Sequence, residues 1–362
     1  MSRFLRYTLM LVAVMVLLVF LAVHWLSWRP PARQDIAAQC RPGAPELQAG
    51  QALKVMTWNV QFLAGKRYVF WYEMADDRGP DDRPSSEDLA YNLDEVSRVI
   101  RAEQPDLVLL QAVDKGARAT DYQDQLALLR ERLADLYPCA VQAYDWKADF
   151  VPHWHIFGSV GRTLATLSRY RIDHAERLQL PERSTGNPLM LPFAPKRALL
   201  SAYLPVQGGG QLAVLNTRLD GYVAGQDTQL RQLQALGRQL DELEGHGETW
   251  LLGGDLELLA LGQRQRLDTE QRLGYSPDTD LHLLYDKYPM IPSNADASGV
   301  DRAQWLTHYP SGQRGDSPDR TVDYLFHSPR VSAQEAMVRQ EDTLEISDHL
   351  PVLGVFFLPV GR

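Results

Sequence analysis

Cysteine is almost absent: there are two among 362 residues, Cys40 and Cys139. So few exclude a disulfide-dense scaffold and a four-cysteine zinc site. In an exported chain an even pair is a disulfide candidate that would staple the start of the chain to its body. Two separate free thiols fit the sequence nearly as well. Excess positive charge is also lacking, because 37 Lys and Arg face 46 Asp and Glu, a net charge of -9. Duplex-DNA binders draw affinity mainly from cationic contacts to phosphate, so nucleic acid is disfavoured as a general partner. There is no internal repeat, and past residue 52 there is no Pro/Gly-rich linker or low-complexity tract. Those absences argue for one continuous folded unit.

Long hydrophobic runs are missing everywhere except at the N-terminus. From Tyr7 to Trp28 only Thr8, His24 and Ser27 interrupt an apolar run, with Arg3 and Arg6 before it. That length can span a bilayer as a helix. Tyr7 at one end and Trp25 and Trp28 at the other match an interfacial aromatic belt. No small-residue cleavage site follows directly, so residues 1–28 are expected to form an uncleaved transmembrane anchor, with a cleaved signal peptide as the alternative. Arg3 and Arg6 favour an N-terminus inside, which puts the large domain outside the cytoplasm, periplasmic or extracellular. Arg29 and Arg33 weaken that bias. Residues 29–52, rich in Pro, Ala, Gln and Gly, read as a tether.

From Leu53 the spacing of apolar residues alternates between two periods. Leu53 to Val60 (LKVMTWNV) reads as a strand. Ser85 and Asp88 stand at capping-box spacing, and Leu89, Leu93, Val96 and Ile100 follow at helical spacing until Pro105. Leu107 to Leu110 is a short apolar strand. A second helix carries Leu126, Leu129, Leu133 and Leu136, and a third carries Leu230, Leu233, Leu236, Leu240 and Leu243. Thr163 to Leu167, Ala198 to Leu204, Leu212 to Asn216, Trp250 to Leu252, Thr321 to His327 and Val352 to Leu358 read as strands. Because the two kinds of element mix throughout, 53–362 is expected to be one α/β domain with a sheet-rich core.

Five polar residues stand at the C-terminal ends of apolar strands: Asn59, Gln111, Asn216, Asp255 and Asp348. One alone is a turn residue, but sheet folds assemble sites by gathering such residues. The runs that carry them are Thr57-Trp58-Asn59, Leu110-Gln111-Ala112-Val113-Asp114, Asn216-Thr217-Arg218-Leu219, Gly254-Asp255-Leu256-Glu257 and Ser347-Asp348-His349. Arg320-Thr321-Val322-Asp323-Tyr324-Leu325-Phe326 joins them. In order and spacing they resemble the T-W-N, L-Q-E-V-D, N-T-H-L, G-D-x-N, S-D-H and R-x-x-D-Y-x-F runs of the endonuclease/exonuclease/phosphatase superfamily. That superfamily includes deoxyribonuclease I-like nucleases, sphingomyelinases and inositol-phosphate phosphatases. The likeness runs from Leu53 to Leu358.

The resemblance implies a deoxyribonuclease I-like fold, a four-layer α-β-β-α sandwich, here preceded by the transmembrane helix. It also implies phosphoester hydrolysis, by a phosphodiesterase or phosphatase, assisted by Mg²⁺ or Mn²⁺. By matched position Asp255 is the water-activating base. His349 stabilises the transition state, with Asp323 orienting it, and Asn59, Asn216 and Arg218 bind substrate or phosphate. Asp348 is a metal ligand. Three positions depart from the pattern: Ala112 replaces the metal-binding Glu, Arg218 replaces the His of N-T-H-L, and Glu257 replaces the Asn of G-D-x-N. Glu257 is a relocated candidate ligand, and Asp114 lies two residues from the gap.

Two functions therefore stand side by side. One is a membrane-anchored hydrolase of a phosphoester small molecule or lipid headgroup, with a rewritten site. The other is a pseudoenzyme that has lost metal and turnover and binds phosphorylated ligands or a protein partner. Secondary candidates are His153 and His155, read as an aromatic loop before a metal pair; Lys196 and Arg197, read as phosphate-pocket lining or solvated surface; and Val69 to Pro84, read as a gating loop or plain surface.

Overall fold

The strand-forming runs condense into two sheets packed face to face. The computed structural model describes residues 3–74, 78–312 and 316–360, so residues 75–77 of the stretch Val69 to Pro84 lie outside the described residues. The chain opens with α1 (Arg3–Leu26), followed by β1 (Arg33–Ile36), β2 (Gln39–Cys40), β3 (Leu47–Gln48), β4 (Ala52–Asn59) and α2 (Ser86–Glu103). Next come β5 (Leu107–Asp114), α3 (Gln125–Arg132), β6 (Cys139–Val151), β7 (Gly158–Ser168), β8 (His174–Gln179), β9 (Ala198–Gln207) and β10 (Gln211–Arg218). Then α4 (Thr228–Gly245), β11 (Thr249–Asp255), α5 (Thr269–Arg272), α6 (His282–Tyr285), β12 (Met290–Ile291) and α7 (Asn294–Ser298) lead to β13 (Asp323–His327), β14 (Ser332–Val338) and β15 (Val352–Phe357).

One sheet runs β14-β15-β4-β5-β7-β6-β2, and the other runs β1-β8-β9-β10-β11-β13-β12 with β3 beside β9. In each, two central neighbours are parallel, β4 with β5 and β10 with β11. Parallel neighbours need a crossover, and α2 and α4 supply it. Period-2 alternation sorts side chains to the two faces. In β4, Leu53 and Val55 face the other sheet, alongside Leu200, Val214, Leu251 and Leu325. Met56 and Trp58 face outward beneath Leu93, Val96 and Ile100 of α2 and Leu129 of α3. Trp250 and Leu252 pack against Leu233, Leu236 and Leu240 of α4. The result is the expected four-layer sandwich. Of the capping box at α2, the serine half forms: Ser85 Oγ accepts from the Asp88 N–H at 3.1 Å, while the Asp88 carboxylate accepts from Ser85 Oγ at 2.7 Å.

The segment 29–52, read as a tether, is instead drawn into the sheets. β1 pairs antiparallel with β8, β2 with β6, and β3 runs parallel to β9. Cys40 and Cys139 are joined in a disulfide with Cα atoms 4.1 Å apart, bonding β2 to β6. Two- to four-residue strands at sheet edges carry too little periodicity to stand out in a sequence, and they cover edges that would otherwise stay open. The 13-residue β6 is hidden for another reason, since Asp145, Lys147 and Asp149 break up its apolar pattern.

α1 is long and apolar enough to cross a membrane by length and composition. Its last turn is seated on the domain: Val23 and Leu26 pack against Ala148, Val151 and Phe193.

Candidate active site

The C-terminal ends of the four parallel strands converge at one end of the sandwich. β4 delivers Asn59, β5 delivers Ala112 and Asp114, β10 delivers Arg218 and β11 delivers Asp255. Gly254 permits this closeness: a Cβ there would lie 2.3 Å from the Thr217 carbonyl oxygen, so β10 and β11 could not sit as they do. Asp323, at the start of β13, is the cross-strand partner of Asp255.

His349 joins the two carboxylates. Its Nδ1 lies 2.8 Å from Asp323 Oδ2, and its Nε2 lies 3.9 Å from Asp255 Oδ2. Its backbone is held as well, because Trp58 Nε1 donates to the His349 carbonyl at 2.9 Å and Ser347 Oγ donates to the Asn59 carbonyl at 2.8 Å. Asp255 is fully buried and well supplied with donors. Asn59 Nδ2 donates to Oδ2 at 2.9 Å, Arg218 Nε stands 3.1 Å from the same oxygen, and the Glu257 N–H donates to Oδ1 at 3.2 Å. Arg218 also reaches Glu257, 3.4 Å away.

The electrostatics follow from burial and charge count. Burial opposes charge on His349, yet Asp323, Asp255 and Asp348 outweigh it, so the imidazole pKa is raised to about 10. Burial also raises the Asp323 pKa, against the pull of His349. Three carboxylates face one imidazole, so the proton sits on the histidine. Desolvation works against charge on Arg218, but Asp255 and Glu257 hold its pKa above the usual arginine value. Burial and then the nearby Asp255 raise the Glu257 pKa, and Arg218 opposes them.

Ala112 sits on a bulge. The β5–β7 register shifts between Leu110 and Val113, and Ala112 takes a φ of 53°. The irregularity turns position 112 out of the ladder. It also frees the Leu110 and Ala165 carbonyls, which accept from Asn216 Nδ2 at 3.0 and 2.9 Å. Asn216 Oδ1 accepts from Gln111 at 2.7 Å. Asn216 is thus wholly buried and spends its amide on tying the two sheets together. It departs from the expectation of a phosphate contact, because no part of the amide is left to face a ligand. Glu257 has a φ of 53° as well, a left-handed conformation that asparagine tolerates better than glutamate.

Acidic and imidazole groups that could hold a metal ion are present. Among the described residues, His308, Asp348 and His349 bring ligand atoms within 4.8 Å of one another, as do Asp255, Asp323 and His349. The second group is closed, since its three members face one another and Asp255 also takes Asn59 and Arg218. The first fits an ion better. His308 and Asp348 are part-exposed, and burial together with Arg320 lowers the His308 pKa, which keeps its imidazole neutral. His349 carries its proton and has no lone pair to give, which leaves His308 and Asp348 as the members of this group that could hold an ion. Position 112 offers only a methyl group, and Glu257 faces Arg218. His308 had no signal in the sequence beyond being a lone histidine.

The secondary candidates lie elsewhere. Arg197 is buried between Asp145 at 2.6 Å and Asp220 at 3.0 Å, and Lys196 pairs with Glu182, so neither lines a phosphate pocket or a solvated surface. His153 and His155 stack on Trp71 with ring centroids 4.6 and 4.9 Å away. His155 Nδ1 meets Asp82 at 2.5 Å.

A two-sheet sandwich with this cluster at one end, where its parallel strands finish, is the class of fold to which the comparisons point. The Endonuclease/Exonuclease/phosphatase family model matches residues 56–349, and the chain belongs to that family. Solved structures agree on the fold. The endonuclease/exonuclease/phosphatase protein of Beutenbergia cavernae is 22% identical with a TM-score of 0.56, over 85% of this chain and 72% of that one. The human Nocturnin catalytic domain with bound sulfate is 15% identical with a TM-score of 0.53, over 91% and 100%. Truncated TDP2 of Caenorhabditis elegans is 19% identical with a TM-score of 0.51, over 85% and 99%. No curated protein matches the sequence.

Proposed function

We propose that this chain is a phosphoester hydrolase, a phosphodiesterase or phosphatase held at a membrane by residues 1–28, acting on a phosphorylated small molecule or lipid headgroup. The observation that carries this reading is the unbroken line Asp323–His349–Asp255–Arg218, with Asn59 bonded to Asp255. Asp255 would take a proton from water as the water oxygen bonds to phosphorus and the bond to the leaving oxygen breaks. His349, kept protonated by three carboxylates, would donate to a phosphoryl oxygen. Arg218 supplies a fixed cation with a planar fork suited to phosphate. His308 and Asp348 would hold a divalent ion, Mg²⁺ or Mn²⁺ by resemblance, and such an ion polarises phosphoryl oxygens. The apolar helix and the Cys40–Cys139 disulfide support a domain outside the cytoplasm, where thiols oxidise.

The test is turnover of p-nitrophenyl phosphate and bis-p-nitrophenyl phosphate with Mg²⁺, Mn²⁺ and Zn²⁺ in turn. Asp255→Asn should lower turnover by about 10²–10⁴-fold. Silence of the parent chain with every metal would sink the proposal. One observation favours a second reading, a non-catalytic phosphate-binding module. Arg218 and Asn59 already occupy Asp255 Oδ2, which leaves that oxygen little room to approach a water. That reading predicts ligand binding without turnover.

A further inference from the structure

A cavity of about 460 Å³ opens beside the catalytic cluster, between the turn after β4, the loop at 70–72 and the β6–β7 connection. That size is ordinary for a ligand pocket. Its walls are largely apolar, with Phe62, Trp71, Tyr72, Trp146, Ile156 and Phe157 prominent. At the inner end stands Asp114, two residues along β5 from Ala112. Arg162 lies 3.4 Å from Asp114, with its guanidinium over the Phe62 ring at 4.6 Å. Asp114 links cavity to cluster, since it lines the cavity and ends the strand that lies beside β4 and its Asn59.

The other side of the same wall is the seat of α1. Ile156 and Val160 line the cavity, and they pack against the same buried cluster of Ala148, Val151 and Phe193 that Val23 and Leu26 pack against. No slack separates helix from domain: Trp28 stacks edge-on against Tyr144 at 6.0 Å, and Arg177 lies over the Trp28 ring at 4.8 Å. The connection that forms the mouth exposes large apolar side chains, Trp154 at 74% and Phe157 at 63%, and Trp25 at the helix end is 80% exposed. Aromatic side chains turned outward beside a helix end suit the membrane–water interface, and are a cost in open water.

We propose that this cavity receives the apolar part of a membrane lipid phosphoester entering sideways from the leaflet where α1 ends, so that the natural substrate is a lipid and not a soluble ester. The proposal rests on the anchored-hydrolase reading and narrows its substrate class. Phe157 and Trp154 would sit in the headgroup region, Ile156 and Trp71 would flank the chain, and Arg162 would meet the phosphate on its way to Arg218 and Asp255.

Photolabelling of the full chain tests this without requiring turnover. The chain is placed in phosphatidylcholine vesicles containing phosphatidic acid with a diazirine in one acyl chain, and adducts are mapped by mass spectrometry. Adducts are expected on α1 and also on residues 70–72 and 154–160. Ile156→Trp, which fills the wall, should reduce the cavity adducts several-fold while those on α1 persist as a control for insertion. Trp154→Ser, at an exposed position that does not threaten folding, should reduce them too. Adducts confined to α1, or undiminished in both variants, overturn the proposal. So does a cavity that binds p-nitrophenyl phosphate by calorimetry yet takes no lipid label, which marks a soluble aromatic ester instead. Cavity labelling without hydrolysis of any ester would remove only the hydrolase reading. Hydrolysis of soluble esters without cavity labelling would remove only the lipid.

Discussion

At position 112 a single methyl group stands where the family pattern has a metal-binding carboxylate, and it stands on a bulge. Ala112 takes a φ of 53° there. A left-handed alanine is strained by roughly 1 kcal/mol, so the conformation is imposed by its surroundings and not chosen by the residue. Ala112→Glu should therefore place a carboxylate in the cleft without refolding the strand. Tighter Mn²⁺ or Mg²⁺ binding in calorimetry and turnover raised at least about tenfold are expected; unchanged affinity would mean that Arg218 blocks the ion. Asp114 makes a second residue-scale prediction. Burial raises its pKa to about 6, with Arg162 pulling the other way, whereas an unfolded aspartate titrates near 3.9. The folded chain keeps this proton through a range where the unfolded chain has lost it. Its contribution to stability is complete below about pH 4 and disappears as pH rises through about 6, a change on the order of 3 kcal/mol. Asp114→Asn should remove that decline in urea titrations compared at pH 4.5 and 7.5. At this scale part of the cluster was legible, because Asn59, Arg218 and Asp255 each close an apolar strand, whereas Asp323 opens β13 and Asp348 follows a turn. Asn216 was misread, since sequence order cannot say whether an amide at a strand end faces the cleft or the opposite sheet.

Elements were legible in proportion to their periodicity. α2 and α4 stood out because their apolar residues recur at 3.6 spacing, and each buries that stripe on a sheet. The central strands stood out as short apolar runs buried on both faces. The edge strands β1, β2 and β3 did not, because two to four residues with one face in solvent leave no recurring pattern. Their role here is to hold the start of the chain, and the disulfide between β2 and β6 closes a separation of 99 residues. A loop of that size is worth about 4–5 kcal/mol through the unfolded chain. Cys40→Ser should lower unfolding stability by about that much, and reduction of the parent should match the variant. No difference in denaturation midpoint would mean that the edge pairing alone secures the segment.

The whole molecule combines a sandwich, whose site lies at one end, with a helix fixed against its side. With α1 uncleaved, the full chain should sediment with membranes and resist carbonate extraction; release into the supernatant would indicate cleavage of the N-terminal segment or peripheral attachment. The sequence by itself determined the layered α/β class, the apolar helix and the order of the family runs. Local periodicity, strand-end polar residues and an uninterrupted apolar run are all properties of short stretches of chain. Only the tertiary structure decided that Arg218 meets Asp255 and Glu257, that His308 joins Asp348, that the supposed tether is stitched into both sheets, and that the apolar cavity shares a wall with α1. Each of these depends on residues far apart in the chain coming within a few ångströms, and the closure of two sheets sets such distances where no local pattern records them.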